Sequence, residues 1–526
     1  MSDKKGIVKR FSSEALIASP ECVEKIVKLE LDLDEIIREA RSEGILFVSD
    51  EFLERFIETE EEIEAASEEI TVQKEGSIGS AAPGEPKKAS TPGEEGGIEA
   101  EGQADSGESI FIPAKQMESR LEIKTDSDVT NKSTSDGSIE NFLEYFNKKF
   151  ELAKSIIQQR MNFRSNSTVN AIGKSQERTA QTIIVMVTEK RESKKGYLFL
   201  EVEDPTGSLT VMLEKDKPQL KLMFDSILLD EVIGIQGVKS NNLFIANEIC
   251  QPDIPFNVNP HYAEKQVYAA LLSDIHVGSY LFMEKEFRNF IEWVNLKHGR
   301  KDIAERLKYI LIAGDLVDGI GIYPNQEKEL IIPDIYEQYD HFASLLENIP
   351  DYIEVVCCMG NHDAVRLAEP QPQLPKDLGK RLYGLSNVHV TGNPISLKIE
   401  GVEILMYHGT TLDSVIGNLS SASYRNPETA MVEYLKRRHL APTFGRDNIA
   451  PETTDYMAIS EVPDILHCGH VHTNGFTNYR GVKIINSGTF QGRTKYQEQL
   501  GHEPTPARVP VINLQNHEVS ILHFDS

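Results

Sequence analysis

Five short apolar runs in this 526-residue chain each end in side chains able to bind a metal. Tyr309-Ile-Leu-Ile-Ala-Gly delivers Asp315. Val267 to Leu272 leads into Asp274 and His276, and Ile353 to Met359 leads into Gly360-Asn361-His362-Asp363. Val402 to Tyr407 leads into His408-Gly409, and Asp464 to His467 runs toward Gly469-His470-Val-His472. Imidazole with carboxylate suits zinc, iron or manganese, with geometry and supply deciding which. Asp and His two residues apart, as in Asp274/His276 and His470/His472, point the same way if the backbone stays extended. They then serve one site together or two adjacent ions. Taken singly, each piece has an ordinary explanation as a polar strand end, a solvated loop or a turn. The same design used five times is what points to a metal site.

A short apolar run followed by turn residues suits a buried strand of a parallel sheet. In open α/β sheets ligands sit off the carboxyl ends of the strands, which is where these side chains fall. Helical spacing is expected over Glu284 to His298, with Phe287, Phe290, Ile291 and Val294 on one face, and over Asp334 to Ile349 and Pro427 to His439. Strands alternating with helices from 261 to 526 argue for an α/β sandwich.

The order DxH, GDxxD, GNHD, HG, GHxH resembles the calcineurin-like metallophosphoesterases, with every position filled. The resemblance implies two metals about 3.5–4 Å apart. Asp274, His276, Asp315 and His472 would hold one ion. Asp315, Asn361, His408 and His470 would hold the other, with Asp315 bridging. His362 would face the scissile phosphate, with Asp363 orienting its ring. The chemistry agrees: a metal lowers the pKa of bound water toward ~7, and a metal pair clamps the attacking and leaving oxygens. A protonated His362 could stabilise the transition state or protonate the departing oxygen.

Ahead of this region the chain reads as four segments. Residues 1–70 suggest a small helical module, with Ile26, Leu29, Leu33, Ile36 and Ile37 at helical spacing and a second helix near Phe52. It could dock a partner or be a plain packing unit. Seven Glu lie between Glu58 and Glu69, and a Gly/Ser/Pro-rich acidic tract continues over 71–138. Such a tract buries too little surface to offset its ordering entropy and is expected to be a disordered linker. Residues 139–165 read as a connecting helix through Phe142, Phe146, Phe150, Ala153 and Ile157. Over 166–260, five strand-like runs with turns between them fit an OB-fold barrel. Lys190, Arg191, Lys194, Lys195, Tyr197 and Phe199 could serve a single strand, or the barrel could serve protein contact.

A barrel of this kind followed by a phosphoesterase resembles the B-subunits of replicative DNA polymerases. In the eukaryotic B-subunits the metal motifs have decayed, whereas here they are intact. That combination is similar to the small subunits of archaeal D-family DNA polymerases. Gly360 to Arg366 running on to Ala368-Glu-Pro-Gln-Pro372, Tyr407-His-Gly409, and Tyr479 to Val482 through Asn486-Ser-Gly-Thr489 carry the match. It covers roughly residues 140–526. Phe490 stands where many such relatives would have tryptophan, which affects packing rather than metal binding. The resemblance implies a manganese-dependent 3′→5′ exonuclease acting on single-stranded 3′ ends of DNA, and a large catalytic subunit as partner. The alternative is a catalytically idle structural subunit. A sliding clamp or primase is a further partner to test for the N-terminal module. A protein phosphatase of the same superfamily would instead show GDxxDRG and GNHE.

The formal net charge of −28 is unusual for a DNA enzyme, because phosphate contacts dominate affinity. Much of the acid lies in the head and linker. The basic clusters Lys436-Arg437-Arg438, Lys380-Arg381 and Arg493 with Lys495 could steer a strand, or be ordinary solvated charge. Five cysteines without a CxxC pair read as reduced thiols. No apolar run is long enough to cross a membrane and no signal-peptide core follows the first residues, so the expected setting is cytoplasmic.

Overall fold

A computed structural model describes residues 111–214 and 217–525, together with scattered positions between Arg10 and Leu53. The chain divides into two units, Met1–Ser106 and Gly107–Ser526. The first contains a helix, Leu33–Ser42, whose Ile36, Ile37 and Ala40 are buried, and a parallel pair of two-residue strands, Ile17–Ala18 and Phe47–Val48. The rest of the helical module expected over 1–70, its second helix included, and residues 71–110 of the expected linker lie outside the described residues.

In the second unit two six-stranded sheets pack face to face. The first runs Val388–Val390, Glu354–Cys358, Leu307–Ala313, Tyr268–Leu272, Arg508–Asn513, Val519–His523, and its first four strands are parallel. The second runs Gly475–Tyr479, Val482–Asn486, Ile465–Cys468, Val402–Met406, Ile395–Ile399, Leu121–Ile123. Leu311, Val356, Ile404 and Ile465 belong to the core between them. Alternate side chains of the first sheet, Ile310 and Ile312 among them, meet helices Glu284–Val294 and Ile335–Leu346 on its outer face. Leu405 and Leu466 of the second sheet meet helices Leu412–Asn418 and Glu428–Arg437. Every residue of Leu307–Ala313 is buried, as a strand covered on both faces requires.

The strand registers align the carboxyl ends. Ile312 pairs with Leu272 on one side and Cys357 on the other, so Asp274, Asp315 and Asn361 leave the first sheet at one level. Met406 pairs with His467, so His408 and His470 leave the second sheet together.

Five strands, Ala180–Glu192, Leu198–Asp204, Gly207–Leu213, Leu243–Cys250 and Val232–Ser240, close a barrel in that order. Ile183, Val185, Leu200, Val211, Ile235 and Phe244 fill it. Helix Ile139–Ile157 joins barrel and sandwich. Its Phe150, Ala153 and Ile157 pack on Ile184, Met186 and Val232 of the barrel. Its Phe142 and Phe146 meet Phe444 edge-on, and Lys149 Nζ donates to the Pro442 carbonyl at 2.6 Å.

Two expectations need correction. The tract over 71–138 is not disordered at its far end. Residues 111–138 form a strap: Leu121–Ile123 adds a strand to the second sheet by pairing with Leu397–Ile399. Asp128 accepts from the Gly392 amide, and the buried Glu452 accepts from the Thr134 and Ser135 amides. Composition hid this because the strap is held by backbone pairing and carboxylate hydrogen bonds, with Leu121 and Ile123 only partly buried.

Arg437 and Arg438, expected with Lys436 as a basic cluster, are structural rather than a free basic patch. Arg437 is buried, with Nε 2.5 Å from Glu231 Oε2 of the barrel, and it also binds the Glu433 carboxylate and the Ser226 carbonyl. Arg438 is buried too and donates to the Ile459 and Ser460 carbonyls at 2.7 and 2.6 Å. Lys436 Nζ pairs with Glu433 at 2.8 Å. Helical spacing could not reveal that this face meets the barrel.

Burial pushes the Glu231 carboxyl above its ordinary range, against the pull of Arg437. Arg437→Ala leaves the buried Glu231 carboxylate without its ion-pair partner, while Glu433 keeps Lys436, and is expected to cost about 3–5 kcal/mol. A fall in the urea midpoint of the full chain measures this loss.

Candidate metal centre

Asp274, His276, Asp315, Asn361, His408 and His472 converge between the carboxyl edges of the two sheets, while His470 stands beside them with its ring 5.2 Å from that of His408 and paired to Asp413. Asp274 Oδ1 lies 3.3 Å from His472 Nε2 and 3.9 Å from His276 Nε2, and the two imidazole nitrogens are 3.1 Å apart. On the other side His408 Nε2 lies 3.0 Å from Asn361 Oδ1 and 3.4 Å from Asp315 Oδ2. Asp315 Oδ2 is also 3.7 Å from His276 Nε2, so one oxygen faces both groups. The other oxygen, Oδ1, accepts from the His362 amide at 2.8 Å. Ligands about 2.0–2.1 Å from one ion stand roughly 2.9–3.4 Å from each other in a tetrahedral or octahedral shell. Most of these spacings fall in that range.

The chemistry of the donors fits a cation. Asp274 Oδ1 is buried and makes no hydrogen bond, an omission that costs about 1–3 kcal/mol unless positive charge meets it. Burial opposes ionisation of Asp315, yet His408 and His362 outweigh it and hold the carboxyl well below its usual range. Burial likewise disfavours a charged His408, but Asp315 and Asp274 push its pKa up to about 10. Burial keeps the His472 and His362 imidazoles below their ordinary pKa despite the nearby carboxylates.

Backbone geometry brings the pairs together in a way the extended-strand expectation did not foresee. Asp274, His276, Asp315, His470 and His472 all have left-handed φ, between 51° and 69°. Such conformations cost of order 1–3 kcal/mol each and persist where surroundings over-determine them. Here the Asp274 amide donates to the Gly314 carbonyl, the His276 amide to the Asp315 carbonyl, and the Asp274 carbonyl accepts from the Phe490 amide and Thr489 Oγ1. Gly314, at φ 82°, has no room for a side chain: a Cβ would stand 2.7 Å from His408 Nδ1. At Gly360 a Cβ would overlap Asp315 Oδ1.

The second nitrogen of each ring is also fixed, and partners found this way orient metal ligands. His276 Nδ1 lies 3.0 Å from Asp318 Oδ1. His408 Nδ1 donates to the Ala313 carbonyl at 2.8 Å, which leaves Nε2 facing Asp315. His470 Nε2 lies 3.0 Å from Asp413 Oδ2, leaving Nδ1 as its available atom. The Gln497 amide nitrogen lies 2.9 Å from His472 Nδ1. A ligating His472 requires that amide to turn so that its oxygen accepts from Nδ1–H.

Asp363 does not orient His362 as expected. It is buried beneath the loops, accepting from the Gly360 amide at 2.9 Å and from Tyr339 Oη at 3.0 Å. Burial and the nearby Asp315 push its carboxyl pKa up to about 7. His362 Nδ1 instead donates to the Asp318 carbonyl oxygen at 2.7 Å. Asp318 is thus the residue that sequence reasoning passed over. It was legible as the second Asp of Gly314-Asp-Leu-Val-Asp318. Asp413 and Gln497 carried no local signal. Arg493 and Lys495 are exposed, and Lys495 opens the short helix that carries Gln497.

Residues 269–485 match the calcineurin-like phosphoesterase family, so the fold and site define a phosphoesterase domain of that class, which implies bound divalent metal ions. The chain is 44% identical to the DNA polymerase II small subunit of Methanocaldococcus jannaschii, covering 76% of this chain and 68% of that one. It is 36% identical to the small subunit of Methanothermobacter thermautotrophicus, over 77% and 83% of the two chains. It is 42% identical to that of Archaeoglobus fulgidus, over 74% and 78%. The chain belongs to the DNA polymerase II small subunit family. A solved archaeal phosphodiesterase aligns with 49% of this chain and 99% of its own at 13% identity and a TM-score of 0.26. Among the described residues no helix is long and apolar enough to cross a membrane.

Asp318→Asn removes the carboxylate behind His276. It is expected to weaken divalent-metal affinity by about 10–100-fold without unfolding the chain, as read by calorimetric manganese titration.

Proposed function

We propose that this chain is a dinuclear-metal 3′→5′ exonuclease that trims mismatched ends of single-stranded DNA, and a scaffold for the large polymerase subunit. The observation that carries the reading is Asp315 Oδ2, one buried oxygen placed toward both His276 and His408. Asp274, His276, Asp315 and His472 would hold one ion and Asp315, Asn361, His408 and His470 the other, with manganese the proposed metal. Bound ions would supply the Lewis acidity that makes water nucleophilic near neutral pH and offsets charge on the phosphoryl oxygens.

The chain's own residues do the rest. His362, fixed through Nδ1 to the Asp318 carbonyl, is left with Nε2 to hold a proton over a phosphoryl oxygen or pass it to the departing group. In the hydrolysis, water oxygen bonds to phosphorus and the P–O3′ bond breaks. The 3′ oxygen of the shortened strand takes up a proton and a 5′-nucleotide leaves. Asp363 keeps the Asn361-His362 loop against Asp315.

We read the closed barrel over 166–260 as an OB-fold. The support is its strand order of first, second, third, fifth, fourth, with helix Pro218–Ser226 between the third and fourth. The phosphoesterase domain would span 261–526. The large subunit is the partner that the relatives' name implies.

The test is manganese-dependent digestion of 3′-labelled and 5′-labelled single strands, with and without the large subunit. Stepwise loss from the 3′ end is expected. His362→Ala should slow it by about 10²–10⁴-fold while keeping the metals, and Asp315→Ala should lose both metal and activity. No digestion by the complex overturns the nuclease reading and leaves an idle structural subunit. With a net charge of −28 and with Arg437 and Arg438 buried, the lone chain should bind DNA more weakly than the complex does. Equal affinities in fluorescence anisotropy at one salt concentration would contradict this.

A further inference from the structure

A cavity of about 390 Å³ opens beside His362. Its walls are aliphatic: Ile320, Ile322, Ile335, Ala364, Val365 and Leu367. His362 and Asp363 form the side nearest the metal centre. Ile320 and Leu367 are 46% and 57% exposed, although nothing in a monomeric sandwich requires bare apolar side chains at the lip of a polar site. The volume lies within the range of small-ligand pockets, ~300–1,000 Å³.

One wall is built to stay in place. Gly319 and Gly321, at φ 75° and 74°, turn the chain around Ile320. The Gly319 amide donates to Gln338 Oε1 at 2.9 Å and the Ile322 amide to Gln326 Oε1 at 2.9 Å. Both glutamines are fully buried. Gln326 Nε2 also donates to the Asp318 carbonyl and carboxylate. The cavity wall is therefore tied to the residue that orients His276 and His362.

We propose that this cavity is the subsite for the base of the nucleotide being removed, and that it admits only an unpaired base. The inference rests on the nuclease reading above. A phosphate facing His362 Nε2 brings its own nucleoside within reach of the cavity His362 lines. The aliphatic side chains hold a base by apolar contact, and none of them carries a donor or acceptor to tell one base from another. A paired base cannot enter, because its partner strand would have to enter with it. Selection for frayed or mismatched ends then follows from shape rather than from sequence readout. An apolar side chain of the large subunit is the competing occupant.

The experiment uses the full chain with its large subunit and manganese. Substrates are single strands ending in each natural nucleotide or in an abasic tetrahydrofuran residue, and the variant is Ile320→Ser with Leu367→Ser. The wild type is expected to prefer a natural end by about tenfold in kcat/KM, the scale of one apolar contact surface, with the four bases removed at similar rates. The variant should lose that preference through a slower rate on natural ends, with its manganese affinity unchanged. A variant that discriminates as strongly as the wild type overturns the subsite. So does one that keeps the discrimination but loses the large subunit in a pull-down, which would assign the cavity to protein contact. If the wild type digests natural and abasic ends equally, the nuclease reading stands and the subsite falls. If it digests neither, both fall.

Discussion

Carboxylates buried away from water must be met by cations or donors, and the centre of this fold is organised around that demand. Asp274, Asp315 and Asp318 are at most 2% exposed and lie within one cluster with four imidazoles. Asp315 sits where the two sheets bring their carboxyl edges together, and its Oδ2 is the point both groups of ligand-type atoms share. The left-handed backbone at Asp274, His276, Asp315 and His472 is the cost of aiming side chains from parallel strands into one small volume. The dense backbone hydrogen bonding around Gly314, Asp315 and Asp274 holds it there.

The same principle operates at the junction of barrel and sandwich. Arg437 lies between Glu231 and Glu433, so a cation from the sandwich neutralises a carboxylate of the barrel in a dry contact. Lys149 reaches the Pro442 carbonyl from the joining helix. Burial of these charges fixes the barrel against the phosphoesterase domain, and it withdraws Arg437 from solvent. The strap over 111–138 adds an edge strand to the second sheet and is held further by hydrogen bonds to the Asp128 and Glu452 carboxylates. Under the nuclease reading, exposed cations such as Arg493 and Lys495 near the site, and the large subunit, are left to hold the DNA.

Much of the fold was readable because its signals are local. Tyr309 to Ala313, Val402 to Met406 and the runs before Asp274 and Asn361 became strands close to the expected limits, since a short apolar run ending in glycine or a polar turn needs no partner to be recognised. Phe287, Phe290, Ile291 and Val294 face the core from one helix, as their spacing required. The strap was not readable, because Leu121 and Ile123 are too few to make a pattern. The buried fate of Arg437 and Arg438 was hidden as well, since a charged residue on a helix looks the same whether it faces water or a carboxylate.

By itself the sequence determined which side chains stand at the ends of the buried strands, because residue type and apolar runs are properties of neighbouring residues. The tertiary structure alone decided how those side chains are held. Asp318 rather than Asp363 orients His362, Asp413 and Gln497 meet His470 and His472, and the aliphatic cavity opens at His362. Each of these depends on distances of a few ångströms between segments far apart in the chain, and such distances are set by how the sheets and loops pack.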